Sequence, residues 1–238
     1  IKLKIPFFKP YVAESENSYL LEANNSGAHS TSGEFLDRCK DIFEQVMGAT
    51  NSFLTTSCTD ALEMAAIILE RSKGEVLLPS YTFPSTATAF IQHGFKPIFV
   101  DIDLETGNIS VEDLRRKITT KTSCIVPVHY AGVVADMDSI NDLAKTVEAY
   151  VVEDAAQAFN SRYNGRFAGT LGDMGCFSFH TTKSYSCGEG GALLIARDEW
   201  KESAHQIFEK GTDRRAVLLG QKAKYHWVSK GSSFGLSN

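Results

Sequence analysis

Short apolar runs alternate with longer amphipathic segments over residues 51–154. The apolar runs predict strands at residues 52–56, 75–78, 98–101, 124–128 and 150–154. The segments between them have apolar residues at helical spacing and predict helices at residues 60–70, 82–93, 111–118 and 137–146, the third after the capping residue Ser110. This alternation is typical of a mostly parallel sheet that is buried on both faces. We therefore predict an α/β fold with three αβα layers and a mostly parallel sheet.

The patterns outside this region are weaker. Further strands are predicted at residues 176–180 and 191–196, and helices at residues 34–46 and 199–209. Residues 1–34 are rich in turn formers, including Pro6 and Pro10, and the residues beyond 211 have no clear period. We divide the chain into an irregular N-terminal arm (1–34), a large domain (35–210) and an extended interface segment (211–238).

Composition and charge narrow the class of partner. The 238 residues are 43% hydrophobic and 22% charged, which is enough for one large domain with a sizeable core. A formal net charge of −5 without a basic run argues against nucleic acid or an anionic membrane as the main partner. The five cysteines have neither CxxC nor Cys/His metal spacing, so no metal site is predicted. With no long apolar span, the sequence favours a reducing cytoplasm.

Two chemically active residues follow predicted strands. Asp154 ends the apolar strand at 150–154, and Lys183 follows the strand at 176–180 and precedes the glycine-rich Gly188-Glu-Gly-Gly191. The carboxyl ends of parallel strands meet at one edge of a sheet, so we expect the two side chains to lie close together. A buried anion and a reactive amine are what a protein needs to hold pyridoxal 5'-phosphate (PLP), the anion for the pyridine nitrogen and the amine for the aldehyde.

The phrases around these residues resemble a known family. They are Val152-Glu-Asp-Ala-Ala-Gln157, Cys176-Phe-Ser-Phe-His-x-x-Lys183 and Gly188-Glu-Gly-Gly-Ala192, with further support from residues 80–86, 127–132 and 209–212. They are similar to the DegT/StrS-type nucleotide-sugar aminotransferases, which belong to the fold-type-I PLP enzymes. Within that family they most resemble the transaminases that form dTDP-4-amino-4,6-dideoxygalactose. The resemblance extends from Ile5 almost to the end of the sequence.

The resemblance implies a large PLP-binding domain and a set of site residues. Lys183 would carry the cofactor, Asp154 would bind the pyridine nitrogen, Gln157 would donate to the phenolic oxygen, and Phe83 would stack on the ring. Thr59, Asp60 and Ser178 would lie at the phosphate, with Ser233 reaching the phosphate of a neighbouring subunit. Related dehydratases have histidine in place of Lys183, so the lysine favours transamination.

The sequence departs from the family at two positions. Many relatives have asparagine where Ser233 stands, although the dideoxygalactose-forming transaminases share the serine. Asp213 occupies a position where the family pattern leads us to expect asparagine. Family members also continue beyond the position of Asn238 into a small C-terminal domain that these 238 residues do not include.

Each assignment also has an ordinary structural alternative. Ser57-Cys-Thr59-Asp60 could be a plain helix cap, Phe83 a core residue, and Asp154 and Gln157 solvated residues at a strand end. His180 fits best as a structural histidine. A partly desolvated Lys183 beside cationic groups would be neutral more often and so could act as nucleophile and base.

The expected function is PLP-dependent transfer of an amino group from glutamate to a 4-keto-6-deoxy sugar nucleotide, with dTDP the favoured nucleotide. The product would serve lipopolysaccharide, enterobacterial common antigen or related biosynthesis. The partners would be the keto-sugar nucleotide, glutamate and a second copy of the chain, in a homodimer with shared active sites. Two alternatives stay open, a 3-keto sugar nucleotide transaminase and a PLP-binding scaffold or regulator without turnover.

Overall fold

A computed structural model describes residues 5–6, 8–9 and 11–238. The remaining positions, which include Pro10 of the predicted arm, lie outside the described residues. In the described part of the chain the strands are β1 (Ser52–Thr55), β2 (Glu75–Pro79), β3 (Lys96–Val100), β4 (Thr122–Ile125), β5 (Tyr150–Asp154), β6 (Arg162–Tyr163), β7 (Arg166–Phe167), β8 (Met174–Ser178) and β9 (Gly191–Ile195).

The helices lie mainly between the strands. They are α1 (Glu16–Ser26), α2 (Glu34–Met47), α3 (Cys58–Ile68), α4 (Ser85–Gln92), α5 (Val111–Lys117), α6 (Met137–Lys145), α7 (Lys201–Phe208) and α8 (Arg214–Leu218). Side-chain caps begin three of them: Ser57, Ser110 and Asp136 accept N–H groups of α3, α5 and α6. None of the described helices is both long and apolar enough to cross a membrane.

The central sheet has seven strands in the order β1-β9-β8-β5-β4-β2-β3. The pairs β8–β5, β5–β4, β4–β2 and β2–β3 are parallel, and β9 runs antiparallel to both of its neighbours. The prediction of a mostly parallel mixed sheet is therefore confirmed. The hairpin β6–β7 was not predicted, because strands of two residues leave almost no pattern in a sequence.

Side chains alternate between the two faces of the sheet and define the layers. On β2, Val76 belongs to the cluster with α3, α4 and α7, whereas Leu77 belongs to the cluster with α5 and α6. On β8, Cys176 faces the first of these clusters and Phe177 faces a third, which Leu36 and Phe43 of α2 complete. Helices thus cover both faces, as the three-layer prediction requires.

Two predictions of irregular structure were wrong. Glu16–Ser26 form helix α1 within the predicted irregular arm, although none of the residues of α1 is buried. Arg214–Leu218 form helix α8 where extended structure was expected, and this helix also has no buried residue. Because neither helix buries an apolar face, neither has the periodicity from which a helix is predicted.

The buried carboxylate of Glu153 fixes the loop after β7 against the end of β5. Glu153 is 0% exposed, and its Oε2 accepts the Nε2–H of His129 at 2.8 Å and the N–H of Gly169 at 2.7 Å. Its Oε1 accepts the N–H groups of Leu171 and Gly172, both at 2.6 Å. His129 Nδ1 accepts the N–H of Ala135 at 3.2 Å, so the ring proton is on Nε2. The Nε2–H group is therefore the donor in the hydrogen bond to Glu153.

The loop that supplies these donors needs glycine. Gly169 has φ +80°, and a Cβ there would lie 2.2 Å from the ring of Phe177. A Cβ on Gly175 would lie 2.1 Å from the carbonyl oxygen of Gly169. The backbone therefore approaches β8 closely enough to bring its N–H groups to Glu153.

We predict that Glu153→Gln lowers the free energy of unfolding by about 3 kcal/mol, because the amide that replaces one oxygen would face N–H donors inside the core. Urea unfolding at neutral pH measures the change. The control is Glu112→Gln, an exposed ion-pair residue of α5 that should change stability by no more than about 0.5 kcal/mol. Equal stability of the two variants would show that the buried hydrogen bonds of Glu153 do not hold the loop.

Candidate active site

The predicted site residues lie along the edge of the sheet where the parallel strands end. Asp154 is the last residue of β5 and Ser178 the last residue of β8, which is the neighbouring strand. Thr59 and Asp60 lie in the first turn of α3, which follows β1. The antiparallel strand β9 begins at this edge with Gly191, where a Cβ would lie 2.4 Å from the carbonyl carbon of Ser57. The glycine therefore allows β9 to contact the beginning of α3 directly.

Asp154 is a buried carboxylate with neutral hydrogen-bond donors. It is 5% exposed; its Oδ2 accepts the hydroxyl of Thr86 at 2.7 Å, and its Oδ1 accepts the N–H of Ala156 at 3.1 Å. Burial raises the pKa of Asp154, while the bonds from Thr86 and Ala156 and the positive charge of Lys183 act in the opposite direction. The site therefore contains a desolvated acid that a bound cation would stabilise.

Lys183 lies in a closed loop beside a cavity of about 360 Å³. The loop starts and ends at the His180–Gly188 bridge, and the N–H of Lys183 donates to the carbonyl of His180 at 2.8 Å. The cavity is lined by Phe8, Ala131, Ala156, Gln157, Phe159, Ser178, Thr182, Lys183, Ser184 and Tyr185. The structure thus brings three predicted residues, Gln157, Ser178 and Lys183, to one cavity.

Electrostatic effects connect Lys183 and Asp154 to the beginning of α3. Burial raises the pKa of Cys58 well above its usual value; the charge of Asp154 raises it further, and the charge of Lys183 lowers it. Charges act in this way only over short distances. The charges of the lysine and the aspartate thus both act on the first turn of α3, where Cys58 lies.

Gln157 lines the cavity and is held through its amide oxygen. Its Oε1 accepts the N–H of Ala131 at 2.7 Å, so the oxygen is identified by its donor and the NH₂ group is left to donate elsewhere. Ala131 has φ +52°, an unusual conformation for a residue with a Cβ. The strained turn at Ala131 thus orients Gln157.

The N-terminus of α3 is capped by side chains of residues 56–60. Ser57 Oγ accepts the N–H of Asp60 at 3.1 Å, and the Asp60 carboxylate accepts the hydroxyl of Thr56. The helix-cap alternative is therefore correct for Ser57. The Ser178 hydroxyl accepts the N–H of His180 at 3.3 Å, which leaves its proton to donate. Thr59 and Ser178 have the hydroxyls that a bound anion would need, whereas the Asp60 carboxylate would repel one.

Two other predicted residues are exposed. Phe83 is 71% exposed just before α4, so the core alternative for this residue is wrong. Ser233 is exposed and pairs with Glu209 through a single bridge, and it does not line the Lys183 cavity. Among the described residues, the structure therefore does not bring Ser233 to the Lys183 cavity of its own chain.

The structure explains Asp213, which departs from the family pattern. Its Oδ2 accepts from Lys222 Nζ at 2.5 Å, and its Oδ1 accepts the N–H of His226 at 2.6 Å. These hydrogen bonds, led by that from Lys222, lower the pKa of Asp213. An asparagine could accept from His226 but could not form the ion pair, so the aspartate joins both ends of the 213–226 loop.

Sequence reasoning missed several residues that shape the site. Thr86 binds Asp154 directly, and the backbone of Ala131 orients Gln157. Phe159 and Tyr185 line the cavity with their rings in an edge-to-face contact at 5.0 Å. Thr86 lies within a phrase that supported the family resemblance, so the phrase itself could have pointed to it.

Comparison with known proteins identifies the family. Residues 10–236 match the model of the DegT/DnrJ/EryC1/StrS aminotransferase family. A GDP-perosamine synthase of Escherichia coli is 37% identical over 82% of this chain and 54% of its own length. The UDP-2-acetamido-2-deoxy-3-oxo-D-glucuronate aminotransferase of Pseudomonas aeruginosa is 36% identical over 77% of this chain and 52% of its own length. The chain belongs to the DegT/DnrJ/EryC1/StrS aminotransferase family, as its motifs predicted.

Solved structures show the same fold. The pyridoxamine 5'-phosphate (PMP) form of the putative sugar aminotransferase Spr1654 from Streptococcus pneumoniae superposes on this chain with a TM-score of 0.89 and 25% sequence identity. The match covers 98% of this chain and 64% of that one. The chain spans about half the length of the curated relatives it matches. The fold prediction is confirmed for this half.

We predict that Asp154→Asn stabilises the ligand-free protein at pH 7 by about 1 kcal/mol, a size usual for single substitutions. The raised pKa of Asp154 means that its charged form opposes folding above the unfolded-state pKa, and asparagine can bond to both Thr86 and Ala156 without a charge. The gain should shrink as the pH falls and Asp154 becomes protonated. Urea unfolding at several pH values measures it.

Thr86→Val is the matched control, because it removes a bond to the charged form of Asp154. It should destabilise the protein at pH 7 and have a smaller effect in acid. A loss of stability in Asp154→Asn at pH 7 would contradict the description of Asp154 as a desolvated acid.

Proposed function

We propose that this chain forms the cofactor-binding part of a PLP-dependent aminotransferase that transfers the amino group of glutamate to a 4-keto-6-deoxy sugar nucleotide. One observation supports it above all: among the described residues the buried Asp154 carboxylate forms no ion pair, and it lies at the edge of the sheet where Lys183 lines a cavity. Family membership and the PMP form of a structural relative point to the same cofactor.

The residues present fit PLP. The pyridinium form of the cofactor would place a positive charge beside Asp154, and this would offset the cost of burying the carboxylate. Its phosphate would meet the hydroxyls of Thr59 and Ser178 and the positive end of α3. Asp60 would contribute through its position in the same helical turn rather than through its carboxylate, which already accepts from Thr56.

Each of the other residues has a separate task. When bound, PLP supplies an electron sink and a carbonyl group that carries the amino nitrogen between substrates. Asp154 would hold a proton on the pyridine nitrogen, Gln157 would donate from its NH₂ to the phenolic oxygen, and Phe83 would cover one face of the ring. Lys183 would hold the cofactor through Nζ and, when free, would move a proton to or from the substrate carbon.

The substrate assignment rests on sequence similarity. The motif resemblance favours a dTDP-linked 4-keto-6-deoxy sugar, whereas the name of the Escherichia coli relative contains GDP, so both nucleotides belong in a substrate panel. The Pseudomonas aeruginosa relative is named for a 3-oxo sugar, and this favours 3-keto transamination as the second candidate. Mass analysis of keto-sugar nucleotides incubated with the PMP-loaded protein separates the candidates.

We also propose a homodimer with shared active sites. The interface segment leaves Trp227 82% exposed and Tyr225 55% exposed, although large aromatic rings are normally covered. Ser233 of the same segment does not line the Lys183 cavity of its own chain. A twofold axis would bring each segment to the other subunit, where Ser233 could bind the partner's cofactor phosphate.

We predict that Lys183→Ala abolishes transamination and prevents borohydride from fixing the cofactor to the protein. Peptide mass mapping of the reduced wild type should find the cofactor on Lys183. The control is Lys210→Ala, an exposed lysine on the loop after α7, which should keep both properties. A cofactor fixed to any other lysine would contradict the assignment. Bleaching of the bound cofactor by glutamate would exclude a scaffold without turnover.

We predict that two inactive variants restore activity when mixed. Ser233→Glu should be inactive because its carboxylate would repel the partner's cofactor phosphate, and Lys183→Ala lacks the amine. Random mixing makes half of the dimers heterodimers, each with one intact site, so about a quarter of wild-type activity should return. The control Ser232→Glu, at the exposed neighbouring residue, should stay active alone. No recovery from folded, dimerising parents would mean that each subunit builds its site alone.

A further inference from the structure

Two tyrosine rings pack together, and Ala131, which follows one of them in the sequence, lines the Lys183 cavity. The ring centroids of Tyr81 and Tyr130 are 4.5 Å apart and the planes are tilted by 33°. Tyr81 is 48% exposed and Tyr130 is half-buried, so part of the pair is accessible to solvent. The roles proposed above for the cofactor-binding residues do not use this pair.

Both tyrosines are fixed by neighbours that reach into the site. Thr82, next to Tyr81, shares a 2.7 Å hydrogen bond with Thr86, which in turn donates to Asp154. Ala131, next to Tyr130, lines the cavity and donates its N–H to Gln157. Tyr130 is therefore next in sequence to a cavity-lining residue that binds Gln157, and Tyr81 is connected to Asp154 through Thr82 and Thr86.

The turn that carries Tyr130 is held from two sides. The buried Asn108 accepts the N–H of Tyr130 at 2.9 Å and donates to the carbonyl of Val133 at 3.0 Å. On the other side is His129, which the buried Glu153 binds. Between them Ala131 keeps its φ of +52°, a strain that persists only where surrounding contacts fix the backbone. A turn fixed so firmly presents Tyr130 in one position.

The chemistry of the pair suits a sugar. The interaction of its hydroxyl with that of Tyr81 raises the pKa of Tyr130, so this hydroxyl keeps its proton at neutral pH and can donate. Aromatic rings offer apolar area to the C–H face of a sugar, and phenolic hydroxyls can bond to its oxygens. A carboxylate such as that of glutamate would instead require a positively charged partner.

We propose that Tyr81 and Tyr130 form the subsite that binds the sugar ring of the keto-sugar nucleotide, and that they play no part in binding the amino donor. This inference rests on the proposed function and deepens it, since it separates the recognition of the two substrates. Because Tyr81 is connected to Asp154 through Thr82 and Thr86, and Tyr130 to Gln157 through Ala131, a sugar bound by the pair would lie close to the residues proposed to hold the cofactor.

The test measures the two half-reactions separately in the full-length PLP-loaded protein. Tyr81→Phe and Tyr130→Phe remove a hydroxyl and keep the ring, and Tyr81→Leu removes the ring. Glutamate consumption is followed by the absorbance of the bound cofactor, and amination of the keto-sugar nucleotide by mass. Calorimetric binding of the amino-sugar nucleotide product and of the free nucleoside diphosphate gives a readout independent of turnover. The control is Tyr19→Phe on α1, whose ring packs against Phe35 and not against the tyrosine pair.

Each phenylalanine variant should raise the half-saturating concentration of keto-sugar nucleotide by about 3- to 10-fold, the effect of one lost hydrogen bond. Tyr81→Leu should raise it further. The glutamate half-reaction and the affinity for free nucleoside diphosphate should change by less than about twofold, because neither glutamate nor the nucleoside diphosphate contains the keto sugar. Equal effects on both half-reactions, or no effect on the keto-sugar step, would overturn the subsite. If glutamate does not convert the bound cofactor of the wild-type protein, the proposed function itself fails. That result is distinct from a failure of the tyrosine subsite alone.

Discussion

Two adjacent carboxylates at the end of β5 determine how the rest of the structure is arranged. Successive strand residues point to opposite faces, so Glu153 and Asp154 cannot share an environment. Glu153 points to donors that fully satisfy it: His129 and three backbone N–H groups. Among the described residues, Asp154 accepts hydrogen bonds from one hydroxyl and one N–H. The first carboxylate is satisfied inside the fold, and the second is buried with fewer donors.

The two carboxylates are also connected through the polypeptide. The N–H of His129 donates to the carbonyl of Asp154, and the N–H of Asp154 donates to the carbonyl of Pro127. The segment that follows β4 therefore extends the sheet beside Asp154 before it turns at Ala131. Because Glu153 binds the side chain of His129 from the opposite face, the position of this turn depends on the core. The alignment of Gln157 and Tyr130 is thus a consequence of buried hydrogen bonds some distance from the cavity.

Most of the fold was predictable because burial leaves a strong pattern in the sequence. The strands β2 and β5 are buried on both faces and appear as continuous apolar runs, while α6 appears through its spaced apolar residues. The strand ends identified Asp154 and Lys183 for the same reason. The bond from Thr86 to Asp154 could not be derived in this way, since it joins residues 68 positions apart and depends on how α4 crosses the sheet. The sequence pattern also did not predict helices α1 and α8, because neither helix contains a buried residue.

The interface segment shows why polar contacts can replace a core. Residues 211–238 bury Gly211, Asp213 and Phe234, and the rest of the segment is half-buried or exposed. Its shape comes from Asp213, which binds Lys222 and His226, and from Asn238, whose side chain accepts the N–H groups of Phe35 and Leu36 at the start of α2. Phe234 packs in the core, whereas Tyr225 and Trp227 of the same segment are 55% and 82% exposed. Trp227 bonds only to the carbonyl of Ser229 among the described residues, and its ring therefore has its apolar area available for another surface.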